Sequence, residues 1–235
     1  IQGKEALVGK GEGNYEVISV PTVTMEKSAI YDTTHLVIEG SDIKGSTVTA
    51  YTGFEKYYIV AYYSHLSKEK REEKLKEYFE RGNNKGRINT YAYTGFEDRD
   101  KDLVTTYTFT VPDYVYHNGN ELYVNMFLDK PLKGDVIDTL IKELDSENDY
   151  KYIYKTVTTL DIPEGYTAAK LPANSSFKDD MFGYDIGYKT EGGKVYLTQY
   201  VYINYLILPT GKFKDYNAMV RALNNAYRQN IVLKK

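Results

Sequence analysis

With 235 residues, no cysteine and 30 Lys and Arg interspersed among 33 Asp and Glu for a net charge of -3, the chain excludes disulfides, thiolate metal sites and cysteine nucleophiles. Its length allows one large β domain or two smaller ones, each able to bury a core. The near balance of charge gives no face the positive field that phosphate backbones reward, so nucleic acid is not an expected partner.

Tyrosine supplies most of the aromatic surface, with 26 Tyr against 8 Phe and no Trp, and it favours half-buried sheet positions. Residues Ile1 to Lys10 lack the basic-then-apolar order of a signal peptide, and the Ile-Gln start without Met reads as a trimmed end. Gly9-Lys10-Gly11-Glu12-Gly13 lacks the spacing of a phosphate cradle and reads as a flexible turn before a strand at Tyr15 to Val20. Further strands are expected at Thr33 to Glu39, Ser46 to Tyr51 and Tyr57 to Tyr63. A helix is expected from Ser67 through Lys68 to Arg81, with Leu75, Tyr78 and Phe79 on one stripe and a stop at Gly82.

The strict alternation from Leu103 to Val111 predicts a strand with Leu103, Thr105, Tyr107, Phe109 and Val111 on one face, ended by Pro112. Asn118-Gly119 joins Tyr114 to His117 with Glu121 to Phe127 as a hairpin. Gly134 to Leu144 reads as a short helix. Tyr150 to Leu160 alternates again, as does Val195 to Leu208 up to Pro209, and Glu191-Gly192-Gly193 joins Ile186 to Lys189 with Lys194 to Gln199. Tyr216, Met219, Val220, Leu223 and Tyr227 recur at helical spacing, and Ile231 to Leu233 closes the chain as a strand.

Ala50-Tyr51-Thr52-Gly53-Phe54-Glu55 recurs word for word at Ala92 to Glu97. The flanks differ, so the copies read as two strand ends that turn at glycine, with a duplicated ligand loop as the alternative. His35, His65 and His117 are scattered and form no metal-ligand spacing. Asp98, Asp100 and Asp102 resemble the opening of a calcium loop, yet Leu103 stands where glycine is needed and Phe109 where the bidentate Glu belongs. Asp145, Glu147 and Asp149 take the same discount. No serine sits in a nucleophile elbow, and carboxylates this abundant single out no catalytic pair.

Ile162-Pro163-Glu164-Gly165-Tyr166, followed by Leu171-Pro172, a long hairpin, the Tyr216 helix start and the ending Ile231 to Lys235, resembles the C-terminal domain of unknown function in bacterial transglutaminase-like proteins. Gly3 to Leu7 before Val20-Pro21, and the Lys44-Gly45 through Thr52-Gly53 strand pair before Ser67, are similar to the segment that follows the transglutaminase core. That family's core would use Cys, His and Asp. A chain without cysteine cannot contain that nucleophile, so the resemblance transfers no catalytic residue. It does imply export, to the periplasm or cell surface.

The expected fold is mainly β: antiparallel, sandwich-like sheets with two or three covering helices. It divides into a β-rich domain at 1–161 and a C-terminal β domain at 162–235, or forms one continuous sandwich. The expected function is a non-catalytic accessory or scaffold module, partnered by an upstream transglutaminase-like core in the same polypeptide. A freestanding glycan- or protein-binding β module is the alternative. No catalytic, metal or cofactor-binding residue is nominated, no cofactor is expected, and no apolar run approaches the roughly 20 residues of a membrane span.

Overall fold

A computed structural model of the chain describes residues 2–78 and 85–235. The N-terminal elements are β1 (Glu5–Gly11), β2 (Asn14–Ser19), β3 (Ala29–Glu39), β4 (Asp42–Tyr51), α1 (Gly53–Tyr63) and α2 (Lys68–Tyr78). The middle of the chain adds β5 (Arg87–Thr94), β6 (Leu103–Val111), β7 (Tyr116–Asn118), β8 (Glu121–Val124) and the short β9 (Ser146–Glu147). The remainder forms β10 (Tyr152–Asp161), β11 (Thr167–Lys170), β12 (Ser175–Lys178), β13 (Phe182–Glu191), β14 (Lys194–Ile203), β15 (Ile207–Leu208), α3 (Phe213–Ala226) and β16 (Ile231–Lys234). The fold is mainly β, with several antiparallel sheets and three helices.

One eight-stranded sheet organises the molecule, in the order β12-β13-β14-β10-β3-β4-β6-β5. Every neighbouring pair is antiparallel except β10 and β3, which run parallel from Ile153 opposite Ala29 to Leu160 opposite Leu36. That seam departs from the all-antiparallel expectation. Hairpin turns can join only antiparallel neighbours, whereas a parallel pair needs a long crossover, which here is the whole stretch from β4 to β9. The sheet therefore runs unbroken across residues on both sides of Asp161.

Strand alternation decides what the sheet buries. Leu103, Thr105, Tyr107, Phe109 and Val111 all face inward and are buried, as are Val195, Leu197, Gln199, Val201 and Ile203 of β14. The opposite face, with Tyr31, Val48, Thr106 and Thr198, is turned to solvent. A four-stranded sheet, β11-β16-β8-β7, covers part of the inner face with the buried side chains Leu122, Val124, Ile231 and Leu233. Helix α3 packs beside it on β12 and β13, while α1 packs against β3 and α2 against α1. Two small sheets, β1-β2 and β9-β15, stand at the margin. Among the described residues no helix is long and apolar enough to cross a membrane.

The inner face also buries one carboxylate. Asp32 of β3 accepts hydrogen bonds from the hydroxyls of Thr34 at 2.8 Å, Thr47 at 3.1 Å and Thr49 at 2.6 Å. Such bonds offset the desolvation that an ionisable group suffers in a core.

Three expected elements are corrected. Tyr57 to Tyr63 is not a strand but the second half of α1. Its buried positions, Glu55, Lys56, Ile59 and Tyr63, keep helical spacing, but two of the four are charged, so apolar periodicity could not register them. Gly134 to Leu144 is not a helix but a series of turns. The side-chain amide of Asn217 donates to the carbonyl of Ile137 and its oxygen accepts from the Ile137 N–H, both at 2.8 Å, which takes the backbone groups a helix would use. Leu140, Ile141 and Leu144 face solvent there, so no tertiary burial supports a helix. The strand expected from Val195 to Leu208 breaks after Ile203 and resumes only at Ile207. Helix α2 is described through Tyr78. The rest of the expected stripe and stop, Phe79 to Gly82, lies outside the described residues.

Candidate functional site

The site begins with how α1 is launched from the sheet. Thr52 is pinned to β3: its N–H donates to the Ala29 carbonyl and its hydroxyl accepts from the Ala29 N–H, each at 2.9 Å. Gly53 then turns the chain at φ 52°, where a Cβ would stand 1.9 Å from the Lys27 carbonyl oxygen. Only glycine fits both the left-handed backbone and that approach. The turn points the first residues of α1, Phe54, Glu55 and Tyr58, at the chain entering β10.

There the rings lock together. Tyr150 lies stacked between Phe54, at 5.2 Å between centroids, and Tyr58, at 5.4 Å. The Tyr58 hydroxyl donates to Asp149 Oδ2 at 3.0 Å and the Tyr150 hydroxyl to Glu55 Oε1 at 3.2 Å. Beside this stack opens a cleft of about 770 Å³, lined by Glu55, Ile59 and the tyrosines 58, 62, 63, 78, 150 and 154. Its size falls in the range of small-molecule and side-chain pockets. The rim is aromatic and wet: Tyr62 is 70% exposed.

Glu55 forms the floor and is only 8% exposed. Burial pushes its carboxyl up to about 7, against the opposing pull of the Tyr150 hydrogen bond. Among the described residues no cation pairs with it. Tyr150, Tyr152 and Tyr154 are held well above the usual phenol value, first by burial and then by neighbouring negative charge. The cleft thus joins aromatic surface with one carboxyl that changes charge near neutral pH. Such an arrangement can hold an apolar stem and accept a hydrogen bond or a positive charge at its end.

A narrower cavity of about 210 Å³ adjoins it, sharing Tyr78 and Tyr154, with Asp32, Asp129 and Lys130 in its wall.

The residues singled out in the sequence go to separate places. His35 Nε2 lies 2.9 Å from Asp161 Oδ2 on the open sheet face, and His117 Nε2 lies 3.2 Å from the Gly40 carbonyl. His65 edges a depression beside α2. Asp98 caps its own loop through the Asp100 N–H, and the carbonyls of Asp98 and Lys101 both accept from the Lys56 ammonium. The Asp98 carboxylate itself pairs with the Lys101 ammonium at 3.0 Å. Asp145 accepts from the Thr210 N–H, Glu147 pairs with Lys4, and Asp149 holds Tyr58, so those three carboxylates serve three different partners. Among the described residues no three His, Asp or Glu side chains gather as a metal site. Gly9 to Gly11 end β1 and Glu12-Gly13 forms the turn to β2, with Gly11, Glu12 and Gly13 all at positive φ.

The repeat is a shared way to leave a sheet. Gly95 has φ 78°, and a Cβ there would meet the Asp102 carbonyl oxygen at 1.9 Å, as at Gly53. Beyond the glycines the two copies diverge. Glu55 is buried in the cleft, while Glu97 is exposed and pairs with Arg71 at 2.8 Å. In the sequence Glu55 stands out only as the end of the repeat. The signal that could have marked the site is the cluster Tyr57, Tyr58, Tyr62 and Tyr63 just after it.

Residues 135–233 match the family described as a Domain of Unknown Function with solved-structure structure (DUF3858). The match begins at Asp135 and includes the stretch from Ile162, and it carries no link to transglutaminase-like proteins. Its description names no activity. No curated protein matches the chain.

Proposed function

We propose that this chain is a non-catalytic recognition module that seats a protein partner in the tyrosine cleft. It would act as the accessory part of an exported transglutaminase-like protein. The observation that carries the reading is the cleft itself: exposed tyrosine rings around a carboxyl that no cation of the described residues pairs with. Tyrosine brings a large contact area with few rotatable bonds, which is why it is enriched where proteins meet. The absence of cysteine supports the non-catalytic part, because the covalent chemistry of the resembled family needs a thiolate.

The test is binding of the full chain to peptide and glycan arrays, beside Tyr62→Ala and Tyr58→Ala. Peptides retained by the wild type and lost by both variants, with unchanged thermal midpoints, are the expected result. Retention by the variants, or binding confined to glycans, would overturn the protein-partner reading. Turnover of an amide or glycosidic bond by the wild type, lost in Glu55→Gln, would overturn the non-catalytic one.

A further inference from the structure

We infer that the cleft is a cage for a primary ammonium, and that its occupant is a lysine side chain of the partner, with the methylene stem across the tyrosines and the ammonium on Glu55. The inference rests on the recognition reading above and names the ligand class of the same site.

Three observations converge on it. The carboxyl that lines the cleft is buried, whereas Tyr58, Tyr62 and Tyr78 beside it are exposed, so a ligand that reaches it also meets aromatic rings. Aromatic faces attract cations, more strongly where water is excluded, and a buried carboxylate gains more from a cation than an exposed one does. The second point is geometric. Tyr150 already donates to Oε1 of Glu55 at 3.2 Å, so a ligand meets a carboxyl with one oxygen engaged. A guanidinium wants two parallel acceptors, while an ammonium is a point charge that one oxygen and surrounding phenol oxygens can serve.

The third concerns what surrounds the carboxyl. From α1 it faces Tyr58, from α2 Tyr78, and from the β10 side Tyr150, Tyr152 and Tyr154, with Asp149 behind Tyr58. Of the ammonium groups around these rings, Lys74 pairs with Glu77 at 2.7 Å and Lys130 stands in the adjoining cavity, and among the described residues neither pairs with Glu55, so its positive partner is left to the ligand. An arriving ammonium favours the ionised carboxylate and releases its proton. Since burial holds that carboxyl near neutral pH, binding tightens as pH rises from 6 to 8 and levels off above.

The experiment is calorimetric titration of the full chain at pH 6 and pH 8 with the blocked peptide Gly-Gly-Lys-Gly-Gly, its Nε-acetyl-lysine and arginine counterparts, and a neutral oligosaccharide. The lysine peptide is expected to bind about tenfold tighter at pH 8 than at pH 6, the ratio of ionised carboxylate at those two values. Acetylation, or Glu55→Gln in a protein of unchanged circular dichroism, is expected to weaken binding at pH 8 at least tenfold. Equal affinity for lysine and acetyl-lysine peptides, or undiminished binding to Glu55→Gln, would overturn the inference. If those equal affinities still vanish with Tyr62→Ala, the recognition reading survives without the ammonium. If the oligosaccharide alone binds, or nothing does, both fall.

Discussion

Helices α1 and α3 pack on different strands of the same sheet, α1 against β3 and α3 against β12 and β13, and they cover it by opposite means. Helix α3 sets Met219, Val220 and Leu223 fully out of solvent and closes its region as ordinary core. Helix α1 buries Ile59 and Tyr63 but places Glu55 and Lys56 on the same stripe, and its region of the sheet stays partly open. Charged groups at core positions reduce stability unless partners or proton uptake compensate. Lys56 has its partners in two carbonyls, whereas Glu55 has one phenol and a displaced proton equilibrium. The α3 region is built for stability alone, and the α1 region gives some of it up.

The contrast can be broken most forcefully at α3. Leu223→Ala removes a fully buried side chain and is expected to cost about 2–5 kcal/mol in urea denaturation. At α1 the sign reverses. Glu55 keeps its proton to about 7 in the folded chain but ionises near 4.5 when unfolded, so stability is highest below 4.5, falls as pH rises from 4.5 to 7, and is flat above. That difference corresponds to roughly 3 kcal/mol at most. Glu55→Gln should therefore raise the denaturation midpoint at pH 8 and leave it nearly unchanged at pH 4. A lower midpoint at pH 8 would show that the carboxylate is structural.

Smaller effects sharpen the picture. Lys56→Met leaves the Asp98 and Lys101 carbonyls without their ammonium and should cost about 1–2 kcal/mol. Amide exchange should quicken mainly around residues 95–102. Tyr62→Ala, at an exposed ring, should change stability by less than about 0.5 kcal/mol while ligand affinity falls.

The α3 region was legible in the sequence because its residues follow elementary periods. Val195 to Ile203 alternates, Met219, Val220 and Leu223 recur every three or four positions, and both glycine-bearing hairpins fall where positive φ is needed. The α1 region was not legible. Tyr57 to Tyr63 has the composition of a strand, and the helix is imposed from outside by the Thr52 anchor and the Gly53 turn against Lys27, contacts between residues more than 20 positions apart. The cleft was invisible for the same reason. Glu55 and Tyr150 are 95 positions apart, and no local pattern connects them.

The parallel seam bears on how the protein can be divided. A piece excised at the boundaries of the matched family, residues 135–233, would retain β10 but lose β3, and would retain β16 but lose β8. Two rows of backbone donors and acceptors would then be bare along both sheets, and such bare rows recruit other chains. The excised piece is expected to self-associate on size-exclusion chromatography. What a sequence profile marks off as a unit is, in hydrogen bonds, half of a shared sheet.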